Sequence, residues 1–278
     1  MYSTSALKII TEPIVSDDKR FAVSHRQELI DGFDQAKLTA ARVALVGAGG
    51  IGSEVAEGLC RKGVGHLLFL DHDVVEYTNL NRQHFFKEDI GQPKAHCLVR
   101  NLAPHCHAGT ILEGYSHSFE DAVAMKLELS ASVIVCGVDN SAARVAVTRY
   151  FLPLGIPVIF IAVDLLAECG HVFVQESTAG APCFGCAFPN SLSPRKAPCY
   201  VPASKDILKV TAGLALYAID SLLMARKRNW NFRRHHLAGF APDVLEAIEQ
   251  NRDCRLCNPK QQGSSDVATP GDSTGNSL

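Results

Sequence analysis

The sequence predicts an α/β protein with a mostly parallel sheet covered by helices, and three observations support this class. Short segments of continuously apolar, β-branched residues recur through the first 163 residues. Segments with apolar residues at helical spacing alternate with them, and a glycine-rich turn joins the first pair. Strands that are apolar on both sides and alternate with helices are typical of parallel sheets buried on both faces.

Each element follows from its local pattern. Apolar runs bounded by turn residues predict buried strands, which fall at residues 42–46, 66–70, 132–136 and 157–162. Helical spacing predicts three helices, at residues 53–62, 94–102 and 141–151, and Gly63 ends the first of them. After residue 163 the pattern predicts antiparallel additions: a strand at 171–175, a long helix at about 204–226 and a half-buried strand carrying Trp230 and Phe232.

Composition indicates one soluble domain at residues 21–260, between a flexible arm at 1–20 and a disordered tail at 261–278. The 278 residues are 47% hydrophobic and 20% charged, with a formal net charge of −2, so no basic bias favours nucleic acid. No membrane partner is expected either, because the apolar stretch from 207 to 224 contains Lys209 and Asp220. The N-terminus lacks the apolar run of a signal peptide, so a cytoplasmic location is expected.

A glycine loop between the first strand and the first helix predicts a nucleotide site. Its glycines are Gly47, Gly49, Gly50 and Gly52. They allow a tight turn and let backbone amides approach phosphate, while the helix presents its positive end to the same anion. Asp71, at the end of the next strand, is placed to accept hydrogen bonds from ribose hydroxyls. These residues alone leave NAD and ATP open.

The polar residues that follow favour ATP. Arg82 and Lys94 lie downstream of Asp71, and a dehydrogenase has no evident need for two cations beside the phosphate loop. An enzyme that splits a triphosphate needs fixed cations, because negative charge spreads over the α-phosphate and the leaving pyrophosphate. It also needs a carboxylate for Mg²⁺, and Asp139 follows a strand end at the carboxyl edge of the sheet.

In their order and spacing these residues resemble the ubiquitin-activating, ThiF-type superfamily of adenylyltransferases, over roughly residues 24–257. The matching positions are Arg26-Gln27, Gly47–Gly52, Asp71-x-Asp73, Asn79-x-x-Arg82-Gln83, Gly91-x-x-Lys94 and Val138-Asp139-Asn140. The resemblance implies a Rossmann-like, doubly wound fold and a homodimer. It implies that the glycines, Asp71, Asp73, Asn79, Arg82, Gln83 and Lys94 bind ATP and that Asp139 binds Mg²⁺. It further implies that Arg26 reaches the neighbouring subunit's phosphates.

The cysteines predict a structural zinc site and a reactive thiol. Two CxxC pairs, Cys183/Cys186 and Cys254/Cys257, supply four thiolates, and the resemblance implies that the fold brings them together around Zn²⁺. Two unrelated redox or packing pairs are the alternative. The surroundings of Cys199 resemble the activating enzyme of the ubiquitin-fold modifier, which implies a thioester role for its thiol. An inert loop thiol is the alternative.

The predicted function is therefore ATP-dependent adenylation of the C-terminal carboxylate of a ubiquitin-like or sulfur-carrier protein ending in Gly-Gly, with thioester transfer to Cys199. A conjugating enzyme or a sulfur donor would be a further partner. Two alternatives remain open at this stage. One is an NAD-dependent oxidoreductase on the same fold, and the other is a non-catalytic nucleotide-binding interaction protein.

Overall fold

The computed structural model describes residues 6–192 and 202–258. Within these ranges, nine strands form one sheet with the order β1-β4-β3-β2-β5-β6-β7-β8-β9. The strands are β1 (Leu7–Ile10), β2 (Arg42–Val46), β3 (His66–Leu70), β4 (Ile111–Tyr115), β5 (Val133–Cys136), β6 (Val158–Val163), β7 (Cys169–Gln175), β8 (Phe232–His236) and β9 (Val244–Glu246). The α-helices are α1 (His25–Glu28), α2 (Gln35–Ala40), α3 (Gly50–Lys62), α4 (Lys94–Leu102), α5 (Phe119–Ala124), α6 (Ser141–Phe151), α7 (Phe184–Ala187) and α8 (Lys205–Met224).

The centre of the sheet is a doubly wound parallel unit. Strands β4, β3, β2, β5 and β6 are mutually parallel, and the order reverses direction between β2 and β5. Apolar residues of α3, α4 and α8 pack in the core on one face, and those of α5 and α6 pack on the other. This arrangement confirms the predicted α/β class, and it brings the carboxyl ends of β2, β3 and β5 together at one edge.

The C-terminal strands are antiparallel, as predicted. β7 pairs with β6, β8 with β7, and β9 with β8, each in the antiparallel sense. Trp230 is buried but precedes β8 rather than lying within it. These strands extend the sheet beyond the parallel unit, so turns rather than helices connect β6 to β7 and β8 to β9.

The long apolar helix α8 is a core element. Its length and apolar composition would also suit a membrane span, but it packs along α3, where Leu208 meets Gly50 and Leu216 meets Gly58. The buried carboxylate of Asp220 pairs with Lys62 at 2.5 Å. This ion pair explains how the helix carries a charge into the core, because a buried charge needs a partner.

The structure differs from the prediction at the N-terminus. Within the range expected to be a flexible arm, Leu7–Ile10 form β1 and pair with β4. Neither strand reads as an apolar run, because Lys8 and Glu113 interrupt the pattern. Their side chains form an ion pair of 2.6 Å across the two strands, and Glu113 is buried. Residues 1–5 and the expected disordered tail lie outside the described residues.

Candidate active site

The glycine loop follows β2 at the carboxyl edge of the sheet. Gly47 has a φ of +98°, and a Cβ on this residue would lie 3.0 Å from the carbonyl carbon of Gly137. A Cβ on Gly52 would lie 2.1 Å from the oxygen of Gly47. Both positions therefore require glycine for backbone packing. The loop and the segment after β5 are in direct contact, as a site at the switch point requires.

Gly49 and Gly50 have different surroundings. A Cβ on Gly49 would meet no described atom within 4 Å, so this glycine borders open space. Gly49 is also the N-cap of α3, and it has no side chain to bond the first amides of the helix. These amides are available to an anion at the positive end of the helix. Gly50 instead faces the Leu208 side chain of α8.

Asp71 is fixed at the end of β3 by two backbone amides. The N–H of Ala48 donates to its Oδ2 at 2.7 Å, and the N–H of Asp73 donates to its Oδ1 at 2.9 Å. Burial raises the pKa of Asp71, while nearby Lys94 and these amides favour its charged form. The carboxylate thus shapes the glycine loop and keeps lone pairs for a hydroxyl donor.

Lys94 provides a buried cation beside this carboxylate. Its side chain is 9% exposed, and its Nζ donates to Oδ2 of the 54% exposed Asp73 at 2.8 Å. The backbone N–H of Lys94 also donates to the carbonyl of Asp73 at 2.9 Å. These two bonds attach the first turn of α4 to the segment after β3. The Lys94 ammonium group also lies near Asp71, the carboxylate that binds the glycine loop.

The segment from Asn79 to Gln83 is held in a tight turn. Asn79 is buried, and its Oδ1 accepts from the N–H of Glu76 at 2.9 Å. Its carbonyl accepts from the N–H groups of Arg82 and Gln83. The Arg82 guanidinium donates to the Thr78 carbonyl. Gln83 is 8% exposed, and its Oε1 has no hydrogen-bond partner among the described residues. A buried amide oxygen without a partner is a candidate ligand-binding group.

Asp139 is exposed just beyond β5, next to Asn140, which caps α6 by accepting from the N–H of Ala143 at 2.8 Å. The backbone here is clamped by Arg144, whose Nε and Nη2 donate to the carbonyl of Val138 at 3.1 and 2.7 Å. Burial lowers the pKa of Arg144. Sequence reasoning missed this arginine, because a basic residue in a first helical turn resembles any solvated side chain.

A second missed group is the carboxylate of Glu54, on α3. Its side chain is 5% exposed and pairs with Lys205 at the start of α8. The Nε2 of His84 lies 3.4 Å from the same carboxylate, one residue after the Asn79–Gln83 turn. Glu54 therefore connects the helix after the glycine loop to two other segments of the site. The only sign of this role in the sequence is that Glu54 lies within an otherwise apolar helical pattern.

Arg26 does not lie at the site of its own chain. It is exposed on α1, and the neighbouring Gln27 donates through Nε2 to the carbonyl of Lys62 at 2.9 Å. Lys62 is the last residue of α3, and Gly50 is the first. At a rise of about 1.5 Å per residue the two ends are about 18 Å apart. This distance exceeds the length of an arginine side chain.

The four predicted metal ligands form a cluster at the opposite, amino edge of the sheet. The Sγ atom of Cys183 lies 3.8 Å from that of Cys186 and 3.5 Å from that of Cys254, and the Cys186 and Cys257 atoms are 3.6 Å apart. Hydrogen bonds, first that from Cys183, lower the pKa of Cys186 to about 5. The cluster offers four soft ligands and lies far from the glycine loop. Cys199 lies outside the described residues.

The two kinds of glycine should respond differently to substitution. Gly52→Ala should lower the melting temperature without nucleotide, because its Cβ would overlap the oxygen of Gly47. Gly49→Ala should leave the melting temperature within about 2 °C of wild type, since surface changes away from packed groups are usually small. It should nevertheless weaken nucleotide binding about tenfold, because the methyl group would occupy the space beside the free amides.

Thermal unfolding and isothermal titration with ATP, on both variants and the wild type, measure these effects. Equal loss of stability in both variants would contradict the distinction, as would unchanged ATP affinity in Gly49→Ala.

The chain is similar to curated proteins and to solved structures. It is 30% identical over 237 residues to the mouse protein named adenylyltransferase and sulfurtransferase MOCS3, covering 80% of this chain and 51% of the relative. It is 31% identical over 201 residues to ubiquitin-like modifier-activating enzyme 5 of Xenopus laevis, covering 68% and 50%. The chain therefore spans about half the length of the curated relatives it matches.

A crystal structure of E. coli MccB with ATP has the same fold. Its TM-score is 0.67 at 19% identity, covering 80% of this chain and 68% of that one. The sequence also matches the ThiF family over residues 23–256, which contain the described site residues except Cys257, one position beyond the match. With most of its length matched, the chain belongs to the ThiF family.

Proposed function

We propose that this protein uses MgATP to adenylate the C-terminal carboxylate of a ubiquitin-like or sulfur-carrier protein that ends in Gly-Gly. The observation that carries this proposal is the buried cation of Lys94 beside the glycine loop, at 2.8 Å from Asp73. A triphosphate needs such a cation, and a nicotinamide cofactor does not. The names of the mouse and Xenopus relatives support the same reaction class and the same kind of partner.

In the proposed reaction the residues of this chain position the substrates and neutralise negative charge, and they transfer no protons. The amides at the start of α3 and the side chains of Arg82 and Lys94 bind the phosphates, while Asp71 binds the ribose. Asp139 would hold Mg²⁺, which supplies further positive charge at the phosphates. A carboxylate is already a nucleophile at neutral pH, so its oxygen attacks the α-phosphorus and pyrophosphate leaves. The products are an acyl-adenylate and pyrophosphate.

A second step would release AMP. The thiolate of Cys199 attacks the carbonyl carbon of the acyl-adenylate, the bond to the AMP oxygen breaks, and a thioester forms. Alternatively, a hydrosulfide ion supplied by an external sulfur donor would attack the same carbon and displace AMP, which leaves a thiocarboxylate on the carrier. The cytoplasmic location stays a prediction.

ATP–pyrophosphate exchange tests the proposal. Wild-type protein and a panel of Gly-Gly-tailed ubiquitin-fold proteins should give carrier-dependent exchange, and Asp139→Ala should lower its rate at least a hundredfold, because a lost electrostatic partner costs about this much. Glu120→Ala, on the exposed surface of α5, is a matched acidic control and should retain full exchange.

Binding of ATP and NAD to the same preparations distinguishes the alternatives. NAD binding without ATP binding would favour the oxidoreductase, and ATP binding without exchange for any carrier would favour the non-catalytic protein. Where exchange occurs, Cys199→Ser should retain exchange but lose any acid-stable, thiol-sensitive carrier adduct.

We also propose that two copies share each active site. Arg26 would contribute to the phosphates of the partner's site, because α1 is attached about 18 Å from its own glycine loop. Val23, Leu29 and Ile30 are exposed around Arg26. Exposed apolar residues around a functional cation are typical of a subunit interface.

Mixing two inactive variants tests this sharing. Arg26→Ala and Asp139→Ala should each lose most exchange activity, but their mixture should recover up to about a quarter of it, since a hybrid dimer contains one intact composite site. As a control, sedimentation velocity should give both variants the same mass as the wild type. Lack of recovery in mixtures shown to exchange subunits would contradict the shared site.

The cysteine cluster would hold a structural zinc ion. Zinc–sulfur bonds of about 2.3 Å in a tetrahedron place sulfur atoms about 3.8 Å apart, and the measured separations are 3.5–3.8 Å. The N–H of Asn251 donates to the Sγ of Cys186 at 3.3 Å, which is typical of outer-sphere support for thiolate ligands. The ion would join the segment after β7 to the segment after β9, and four protein ligands leave no open position.

Metal analysis tests the site. The purified protein should contain about one zinc per chain, and Cys254→Ser should lose it and unfold at least 5 °C lower, because metal binding contributes to folding free energy. Cys169→Ser is the matched control, since Cys169 lies outside the cluster at the start of β7. Full zinc content in Cys254→Ser would contradict the assignment.

A further inference from the structure

The buried carboxylate of Glu54 joins two elements that bind phosphate in the proposed function. Glu54 lies on α3 about one helical turn after Gly50, so it is about 6 Å along the helix from the amides that border the nucleotide space. The Nε2 atom of His84 lies 3.4 Å from its Oε1 atom. His84 directly follows the Asn79–Gln83 turn. One side-chain contact therefore holds the end of this turn beside the first part of α3.

His84 is also attached to α4, through its backbone. Its carbonyl accepts a hydrogen bond from the Nδ2 of Asn101 at 3.0 Å. The same Nδ2 donates to the Oδ2 of the buried Asp89 at 2.6 Å, which fixes the amide group. α4 begins at Lys94. His84 thus connects three elements: the helix that carries the Lys94 ammonium group, the turn that carries Arg82, and the helix that follows the glycine loop.

Lys205 balances the charge of the Glu54 carboxylate. Its ammonium group contacts Glu54 from the first residue of α8. Burial alone would raise the pKa of Glu54, but the nearby His84 and Lys205 outweigh burial and lower this pKa. The group is therefore charged at neutral pH, and a buried charge requires partners. With Lys205 as the counter-charge, Glu54 contacts the imidazole of His84 without adding net negative charge beside the phosphates.

The other carboxylate of α3 has different surroundings. The side chain of Glu57 is 22% exposed, and it pairs with Arg61 on the same helix. Its carboxylate also lies 3.8 Å from the Nδ1 of His105. Neither partner belongs to a segment that binds phosphate in the proposed function. Of these two carboxylates on one helix, Glu54 is therefore the one whose partner adjoins the Asn79–Gln83 turn.

We propose that Glu54 is a positioning residue for ATP. Through His84 it holds the turn that carries Arg82 and Gln83 at the distance from α3 at which these side chains and the helix amides bind one triphosphate. This inference rests on the ATP-binding part of the proposed function. Glu54 itself does not touch the nucleotide, so its loss lowers the affinity for ATP without removing a phosphate ligand.

A double-mutant cycle in the Kd for MgATP tests this role. Glu54→Ala and His84→Ala should each raise this Kd about tenfold, because the turn is no longer held beside α3. The double variant should bind at most about threefold more weakly than either single variant, since both changes break the same contact, whereas independent effects would multiply to about a hundredfold. Glu54→Gln should stay within about threefold of wild type, because its amide oxygen still accepts from His84.

Isothermal titration calorimetry separates positioning from a loss of folded protein. A merely structural role would lower the melting temperature and the number of ATP molecules bound per chain, and it would leave the Kd of the folded chains unchanged. Positioning raises the Kd at an unchanged stoichiometry. If Glu54→Ala does not fold, His84→Ala carries the test, because the His84 side chain is partly exposed.

Glu57→Ala is the matched control, because it removes a carboxylate from the same helix whose partners lie outside the turn. It should leave the Kd for MgATP at the wild-type value. A wild-type Kd in both Glu54→Ala and His84→Ala would overturn the proposal, as would multiplied effects in the double variant.

Failure of the proposed function has a different signature. If the wild type does not bind ATP, the proposed function fails and the positioning role falls with it. If the wild type binds ATP but shows no exchange with any carrier, adenylation fails, and the same titrations still decide the role of Glu54. If the wild type exchanges while the Glu54 and His84 variants bind ATP as tightly, adenylation stands and positioning is excluded.

Discussion

The close approach of the glycine loop to the end of β5 is the constraint on which the rest of the site depends. Gly52 leaves no room for a Cβ beside the oxygen of Gly47, and Gly47 leaves none beside Gly137. Because the chain can turn this tightly, α3 begins directly above the switch point between β2 and β5. Its first amides, Asp71 and Asp139 then lie at the same edge of the sheet. A single added methyl group at Gly52 would move all three relative to one another.

Each of two ion pairs in this region joins a buried side chain to a more exposed one. Lys94 is buried and its partner Asp73 is half exposed, whereas Glu54 is buried and its partner Lys205 is more exposed. A buried charge without a partner would destabilise the fold by several kcal/mol, of the order of 3–5. The exposed partner can change its contacts at low cost. Asp73 therefore stabilises the buried Lys94 ammonium group while itself remaining half exposed.

The sequence predicts the parallel centre of the fold better than its edges. Strands β2 and β3 and helices α4 and α6 have the predicted bounds, because buried strands and regularly spaced helices are determined by local pattern. β4 was missed because its buried Glu113 is acceptable only beside Lys8, a contact between residues over a hundred positions apart.

Prediction of the candidate site from local sequence pattern has the same limit. Glycine spacing and the order of polar residues predicted that the loop, Asp71 and Lys94 lie near one another, and the resemblance to the family implied that the four cysteines assemble. Neither Arg144 nor Glu54 could be assigned, because each acts through one tertiary contact, with the Val138 carbonyl and with Lys205. Local pattern does not encode the identity of such partners.

The antiparallel strands explain why two hairpin turns lie at the same edge of the sheet as the glycine loop. In a parallel unit each strand is followed by a crossover helix, so the carboxyl edge is lined by the starts of helices. β7 reverses direction after β6, and β8 and β9 reverse again, so two short hairpin turns come to the same edge. Hairpin turns can present apolar side chains without interrupting the core. The reversal at residues 164–168 therefore leaves the carboxyl edge of the sheet with exposed hairpin turns beside the starts of its helices.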